Sequence, residues 1–247
     1  MSTSRPDSTA FEEASILVVG VGGLGCPAAM ALARAGVGRL VLVDDDTVDV
    51  TNLHRQVLFS EDDVGKDKLD AAAKALAAFG ATRVDCIRSR LLPDNARDLV
   101  RRADIVVEGA DNFATKFLTA DACRLERRPV VHGSAVRFRA TTWAVSGDGR
   151  PCYRCLFEDI LPAEAAPNCA EAGVMGPVAG LAGAMMADLA LRVLASAPCF
   201  GRVHTYDGIV DSVRSVEVSP RPSCPLCGQQ TIFDIDETRY TGAVCAA

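Results

Sequence analysis

The sequence predicts an α/β fold, a doubly wound and mainly parallel sheet that continues into an antiparallel β extension. Three observations predict it. Short apolar strand-like runs alternate with helical patterns over residues 15–135, which is how βα units are laid on a parallel sheet. A glycine-rich hexad, GVGGLG at Gly20–Gly25, joins the first apolar run to the first helical one. After residue 135 the alternation stops and β-rich runs, a long apolar helix and a cysteine knuckle follow.

The elements read in order. SILVVG is a short strand buried on both faces, as in a parallel sheet. LGCPAAMALARAG is a helix that ends at Gly36, and RLVLVDDD is a second buried strand. KDKLDAAAKALAAFG is a helix capped by Gly80. RVDCIRS is a third strand, DNARDLVRR a helix, DIVVEGAD a fourth strand, NFATKFLTADACRLE a helix and PVVHGSA a fifth strand. VRFRATTWAV is one long alternating β run closed by the turn residues SGDGRP. The breaker-rich EDILPAEAAPNCAEAG leads into the small-residue apolar helix 174–197. RVHTYDG and VRSVEV are two further strands, and SCPLCGQQ is a cysteine knuckle before a polar tail.

The bulk numbers bound the class. The chain has 247 residues, 49% apolar and 23% charged, ordinary for a folded chain with a core that needs no disulfides. No linker divides it, so one domain spans 15–230, between a flexible lead over 1–14 and a tail over 231–247. The formal net charge of −6 does not point to nucleic acid. No apolar run reaches the roughly 20 residues of a membrane span, and the polar N-terminus lacks a signal core. A cytoplasmic, reducing setting follows, in which the ten cysteines suit metal or catalysis better than disulfides.

Gly20, Gly22 and Gly25 match G-x-G-x-x-G between strand and helix. Such a loop lets backbone approach a phosphate at a helix N-terminus. Asp44 ends the next strand, where a carboxylate binds ribose hydroxyls. The loop alone does not separate NAD from ATP. Beyond the second strand stand Asp46, Asn52, Arg55 and Gln56, then Lys68, and Asp111 follows the fourth strand. Arg55 and Lys68 suit phosphates, and a carboxylate among phosphates suggests a Mg²⁺ ligand. An NAD dehydrogenase needs no such set around its pyrophosphate, whereas adenylation must offset triphosphate charge. Cys152, Cys155, Cys224 and Cys227 form two C-x-x-C pairs, the donor set of a closed tetrahedral zinc site with a structural role.

Together these residues resemble the ThiF/MoeB/HesA family, bacterial relatives of ubiquitin-activating enzymes. The match runs in order through GVGGLG, VDDDTVDVTNLHRQVLF, GKDK, GADNFATKFLTADAC, CYRCLF, NCAEAGVMGP and CPLCG, over residues 15 to about 230. The resemblance implies an ATP- and Mg²⁺-dependent adenylyltransferase acting on the C-terminal Gly-Gly carboxylate of a small ubiquitin-like sulfur carrier. Peptide or tRNA adenylation, or a nucleotide-binding scaffold that has lost catalysis, are the other readings. It implies that the Gly20–Gly25 loop, with Gly22, Gly23 and Leu24, and Asp44 hold ATP. Asn52, Arg55, Gln56 and Lys68 would organise its phosphates, Asp46 and Asn112 would complete the cofactor-binding set, and Asp111 would bind Mg²⁺. Cys169, in a crossover loop over about 156–173, matches a cysteine that some members use in a second, covalent step. The resemblance further implies a homodimer and a separate sulfur donor, a cysteine desulfurase or a rhodanese. Members usually carry an RYxRQ-type helix before the first strand. Residues 1–14 hold no such motif, and Arg5 is a poor match to its arginine.

Overall fold

The computed structural model describes residues 8–160, 173–197 and 199–240. Its centre is an eight-stranded sheet of order β3-β2-β1-β4-β5-β6-β7-β8. The strands are β1 (Ser15–Val19), β2 (Arg39–Asp44), β3 (Arg83–Arg88), β4 (Ile105–Glu108), β5 (Val130–Val136), β6 (Arg139–Val145), β7 (Arg202–Asp207) and β8 (Ser212–Glu217). The first five pair in parallel and the last three antiparallel, as the sequence predicts.

Alternation along the strands feeds two cores. Ile16, Val18, Leu40, Leu42 and Ile105 face one side with α2 (Gly25–Arg34), α3 (Lys68–Leu76) and α7 (Gly176–Leu194). Leu17, Val19, Val41 and Val106 face the other with α4 (Ala96–Val100), α5 (Phe113–Leu125) and Tyr153 of α6 (Tyr153–Phe157). Strands buried on both faces carry apolar side chains at nearly every position. β1 lies between β2 and β4, so the chain leaves the sheet in opposite directions on either side of β1. In sheets of this kind ligands bind at the carboxyl ends of the strands beside such a switch point.

α7 is 19 residues long, with a mean hydropathy of 1.4, long and apolar enough to cross a membrane by composition. It lies on β5 and β6 and against α2. Val178, Ala182, Met186 and Ala190 are buried, at spacings of four that place them on one face.

Several local expectations change. Residues 8–13 form a helix, α1 (Ser8–Glu13), where the sequence suggests a flexible lead. Phe11 O accepts the Gly38 N–H at 2.8 Å, and a Cβ on Gly38 would stand 1.8 Å from Glu12 O, so glycine is what lets α1 dock. The expected β run over 136–145 starts only at Arg139, as β6, because Val136 ends β5 and the chain turns at Arg137–Phe138. Arg137 takes a φ of 52°, a left-handed conformation that no glycine or asparagine announces. α3 stops at Leu76, short of Gly80. The tail is docked as far as Tyr240: Ile232 joins the knuckle's core, and the buried Tyr240 hydroxyl donates to Asp121 at 2.7 Å.

Candidate functional site

The strand-to-helix loop Gly20–Gly25 sits at this switch point, at the carboxyl end of β1. Gly20 has a φ of 84°, and its N–H donates to Val43 O at 2.9 Å. A Cβ on Gly25 would stand 1.9 Å from the Gly20 carbonyl oxygen. That clash is backbone against backbone, so neither atom can swing away. Gly25→Ala is therefore expected to destabilise the fold by roughly 1–3 kcal/mol, the scale of overpacking, and to weaken nucleotide binding. Thermal unfolding checks this, and a melting temperature equal to the parent's would overturn it.

Asp44 organises the loop. Its Oδ2 accepts Val21 N–H at 2.7 Å and its Oδ1 accepts Asp46 N–H at 2.9 Å. Each oxygen keeps a lone pair for a ribose hydroxyl. Leu24, the N-cap of α2, offers no side-chain cap, and of the first N–H groups of α2 that of Cys26 turns back onto Gly22 O at 2.9 Å.

The segment after β2 folds back over this loop. Val48 N–H donates to Lys66 O at 2.8 Å and Lys68 N–H to Asp46 O at 3.1 Å, closing the segment at its ends. Asp49 caps a 3₁₀ turn, Val50–Asn52. Asn52 O then accepts the N–H groups of Arg55 and Gln56 at 3.1 and 3.0 Å, while its Oδ1 accepts from the Arg55 guanidinium. Arg55 lies against the glycines, 3.2 Å from where a Gly23 Cβ would be, and the Gln56 amide is 3.9 Å from the same point at Gly22. Gln56 is 3% exposed, and its Oε1 has no hydrogen-bond partner among the described residues, a buried acceptor left for a ligand. Lys68 is buried at the start of α3, its Nζ 2.8 Å from the Asp46 carboxylate. His54 Nδ1 contacts Thr51 O at 2.9 Å, a local turn bond.

Asp111 is exposed on the turn between β4 and α5. That turn packs on the glycine loop: the Gly109 carbonyl is 3.6 Å from a Gly20 Cβ position. Asn112, read from sequence as cofactor-binding, also caps α5. Its Oδ1 accepts Thr115 N–H at 2.8 Å, and its amide nitrogen and the second Oδ1 lone pair remain for a ligand.

One cluster had no signal as a motif. Glu108, Lys116 and His132 meet beneath the turn, all three buried. Burial pushes the Glu108 carboxyl up, but the Lys116 charge and the His132 hydrogen bond outweigh it and hold it below its ordinary value. Burial lowers His132, and its Nδ1 stands 3.0 Å from the Glu108 carboxylate. The clue in sequence is a carboxylate ending the four-residue buried run IVVE.

The four knuckle cysteines converge. Cys152 Sγ is 3.9 Å from Cys155 and 3.4 Å from Cys224, and Cys155 is 3.3 Å from Cys227. Sulfurs at about 2.3 Å from one tetrahedral ion lie about 3.8 Å apart, so the set fits zinc. Burial raises the Cys224 thiol, but N–H groups of Cys227 and Leu226 outweigh it and bring it down to about 7. Arg221 N–H donates to Cys155 Sγ at 3.3 Å. Between the first pair, Arg154 is buried and forks onto Asp121 of α5 at 2.9–3.2 Å. Cys169 and most of the crossover loop lie outside the described residues, as does Arg5.

Known proteins are similar to this chain. The ThiF family profile matches residues 3–226. A sulfur carrier protein adenylyltransferase of Thermus thermophilus is 41% identical over 89% of this chain and 84% of its own. A SAMP-activating enzyme E1 of Haloferax volcanii is 38% identical over 91% of this chain and 84% of its own. The bovine adenylyltransferase and sulfurtransferase MOCS3 is 43% identical over 91% of this chain but 50% of its own, so the chain spans about half of that relative. Escherichia coli MccB in complex with a modified MccA peptide superposes with a TM-score of 0.78 at 24% identity, over 90% of this chain and 69% of its own, a likeness of fold.

Proposed function

The chain belongs to the ThiF family, and from that premise we propose that it adenylates the C-terminal Gly-Gly carboxylate of a ubiquitin-like sulfur-carrier protein. The observation that carries the reading is the closure of Arg55 and the Gln56 amide nitrogen onto the glycine loop, with the buried Lys68 held on Asp46 just beyond β2. A carboxylate oxygen of the carrier attacks the α-phosphorus of ATP. The bond to the β-phosphate breaks, and pyrophosphate leaves with its electron pair. The loop and the N-terminus of α2 bind phosphate oxygens, and Asp44 receives the ribose. Arg55 and Lys68 offset the charge that builds on the departing pyrophosphate. Asp111 is the residue that would hold Mg²⁺, which when bound neutralises and orients the phosphates.

The knuckle would hold a structural zinc that pins residues 221–240 to the β extension. A separate desulfurase or rhodanese supplies sulfur, and the chain works in the cytoplasm. Met175, just before α7, and Leu181 on it are exposed apolar side chains and support a second copy as their cover, making a homodimer. The test is ATP–pyrophosphate exchange with a carrier ending in Gly-Gly. Carrier-dependent exchange is expected. ATP binding without exchange on any cognate carrier would sink adenylation and favour a nucleotide-binding scaffold.

A further inference from the structure

The turn between β4 and α5 is braced from beneath by a cluster to which the adenylation chemistry gives no role. Glu108, the last residue of β4, has no exposed surface. Its Oε1 accepts Ala110 N–H at 2.7 Å and Lys116 Nζ at 3.1 Å. Its Oε2 accepts Lys116 Nζ at 3.0 Å and His132 Nδ1–H at 3.0 Å. Lys116 Nζ also donates to Gly133 O at 2.5 Å. One carboxylate thus joins the β4–α5 turn, the first turns of α5, and β5.

Stability is a weak reason to bury such a group. Ion pairs at this depth often contribute no more than apolar residues of the same volume, because both charges must be desolvated. What the cluster does hold is the turn itself. Ala110, whose N–H is anchored on Glu108, immediately precedes Asp111. Gly109 N–H donates to Val19 O at 3.0 Å, and a Cβ on Gly109 would stand 3.3 Å from the Gly25 nitrogen. The turn is therefore clamped between the glycine loop on one side and the Glu108 cluster on the other.

We infer that Glu108, Lys116 and His132 are positioning residues: their buried cluster fixes the Gly109–Asp111 turn against the glycine loop and so sets where Asp111 meets the cation of the bound nucleotide. The inference rests on the assignment of Asp111 to Mg²⁺. A cluster that served the fold alone would change unfolding and nothing else.

The experiment titrates Mg²⁺ into the full-length chain with ATP and reads nucleotide binding by calorimetry, apart from any turnover. Lys116→Met is expected to raise the Mg²⁺ concentration at half-saturation by about 10- to 100-fold, the scale on which groups that orient metal ligands act. Lys116→Arg, which keeps the charge and its donors, restores most of it. Where Lys116→Met fails to fold, Glu108→Gln with Lys116→Met removes both charges, leaves neither buried alone, and is expected to show the same rise. An unchanged Mg²⁺ requirement in the folded variant, alongside a raised one in Asp111→Ala, overturns the inference and leaves the Asp111 assignment standing. An unchanged requirement in Asp111→Ala overturns that assignment itself.

Discussion

Lys68→Met is expected to slow carrier-dependent pyrophosphate exchange by about two to three orders of magnitude, the scale of losing one preorganised charge at a reacting phosphate. The same substitution is expected to leave the melting temperature nearly unchanged. The two expectations follow from the asymmetry of the pair. The Lys68 side chain is 5% exposed, but that of its partner Asp46 is 55% exposed. Removing the lysine leaves a carboxylate that water can solvate, so the stability term is that of a surface pair, at most about 1 kcal/mol. The catalytic term is larger because the ammonium is held at the start of α3 by packing and by Lys68 N–H to Asp46 O, so it pays little ordering cost when ATP arrives. Exchange assays and thermal unfolding on the same preparation separate the two terms. A variant that loses stability and keeps its exchange rate would show Lys68 to be a packing residue.

Stripping the knuckle with a chelator, or replacing Cys224 by alanine, is expected to lower the melting temperature by roughly 10 °C or more. A structural zinc contributes several kcal/mol, and a chain of this size shifts by roughly 2–4 °C per kcal/mol. The loss should be local at first. Cys152, Cys224, Leu226, Cys227 and Ile232 form a core of their own, apart from the two that flank the sheet. Hydrogen exchange is expected to rise over residues 152–157 and 221–240 while β1, β2 and β4 stay protected. Through the fork of Arg154 on Asp121, α5 is expected to loosen next. Metal analysis showing no zinc in the purified chain, or exchange that rises evenly over the sheet, would contradict the assignment.

The parts legible in the sequence are those whose cause is local. β1, β2 and β4, buried on both faces, read as apolar runs, and all five parallel strands fall where SILVVG, RLVLVDDD, RVDCIRS, DIVVEGAD and PVVHGSA stand. GVGGLG is legible because backbone packed on backbone tolerates no side chain, as Gly25 shows. The cysteine pairs are legible because three-residue spacing places two thiols on one turn. Asn52, Arg55 and Gln56 were found as a cluster in one short segment, although their approach to Gly22 and Gly23 is a tertiary fact.

What only the tertiary structure decided depends on partners far apart in the chain. The docking of α1 depends on Gly38, and the docking of the tail on Asp121, 119 residues before Tyr240. Arg137 turns the hairpin because β5 and β6 pair on either side of it, not because its own preference asks for a turn. That Asn112 caps α5 is a fact of its place after β4, where its Oδ1 meets Thr115 N–H. Glu108, Lys116 and His132 carry no motif at all. The sequence by itself determined the sheet, the phosphate loop and the four thiols, since each follows from side-chain periodicity or backbone sterics within a few residues. The buried charge cluster was decided by the fold alone, because Glu108, Lys116 and His132 stand on separate elements and meet only when β4, α5 and β5 pack together.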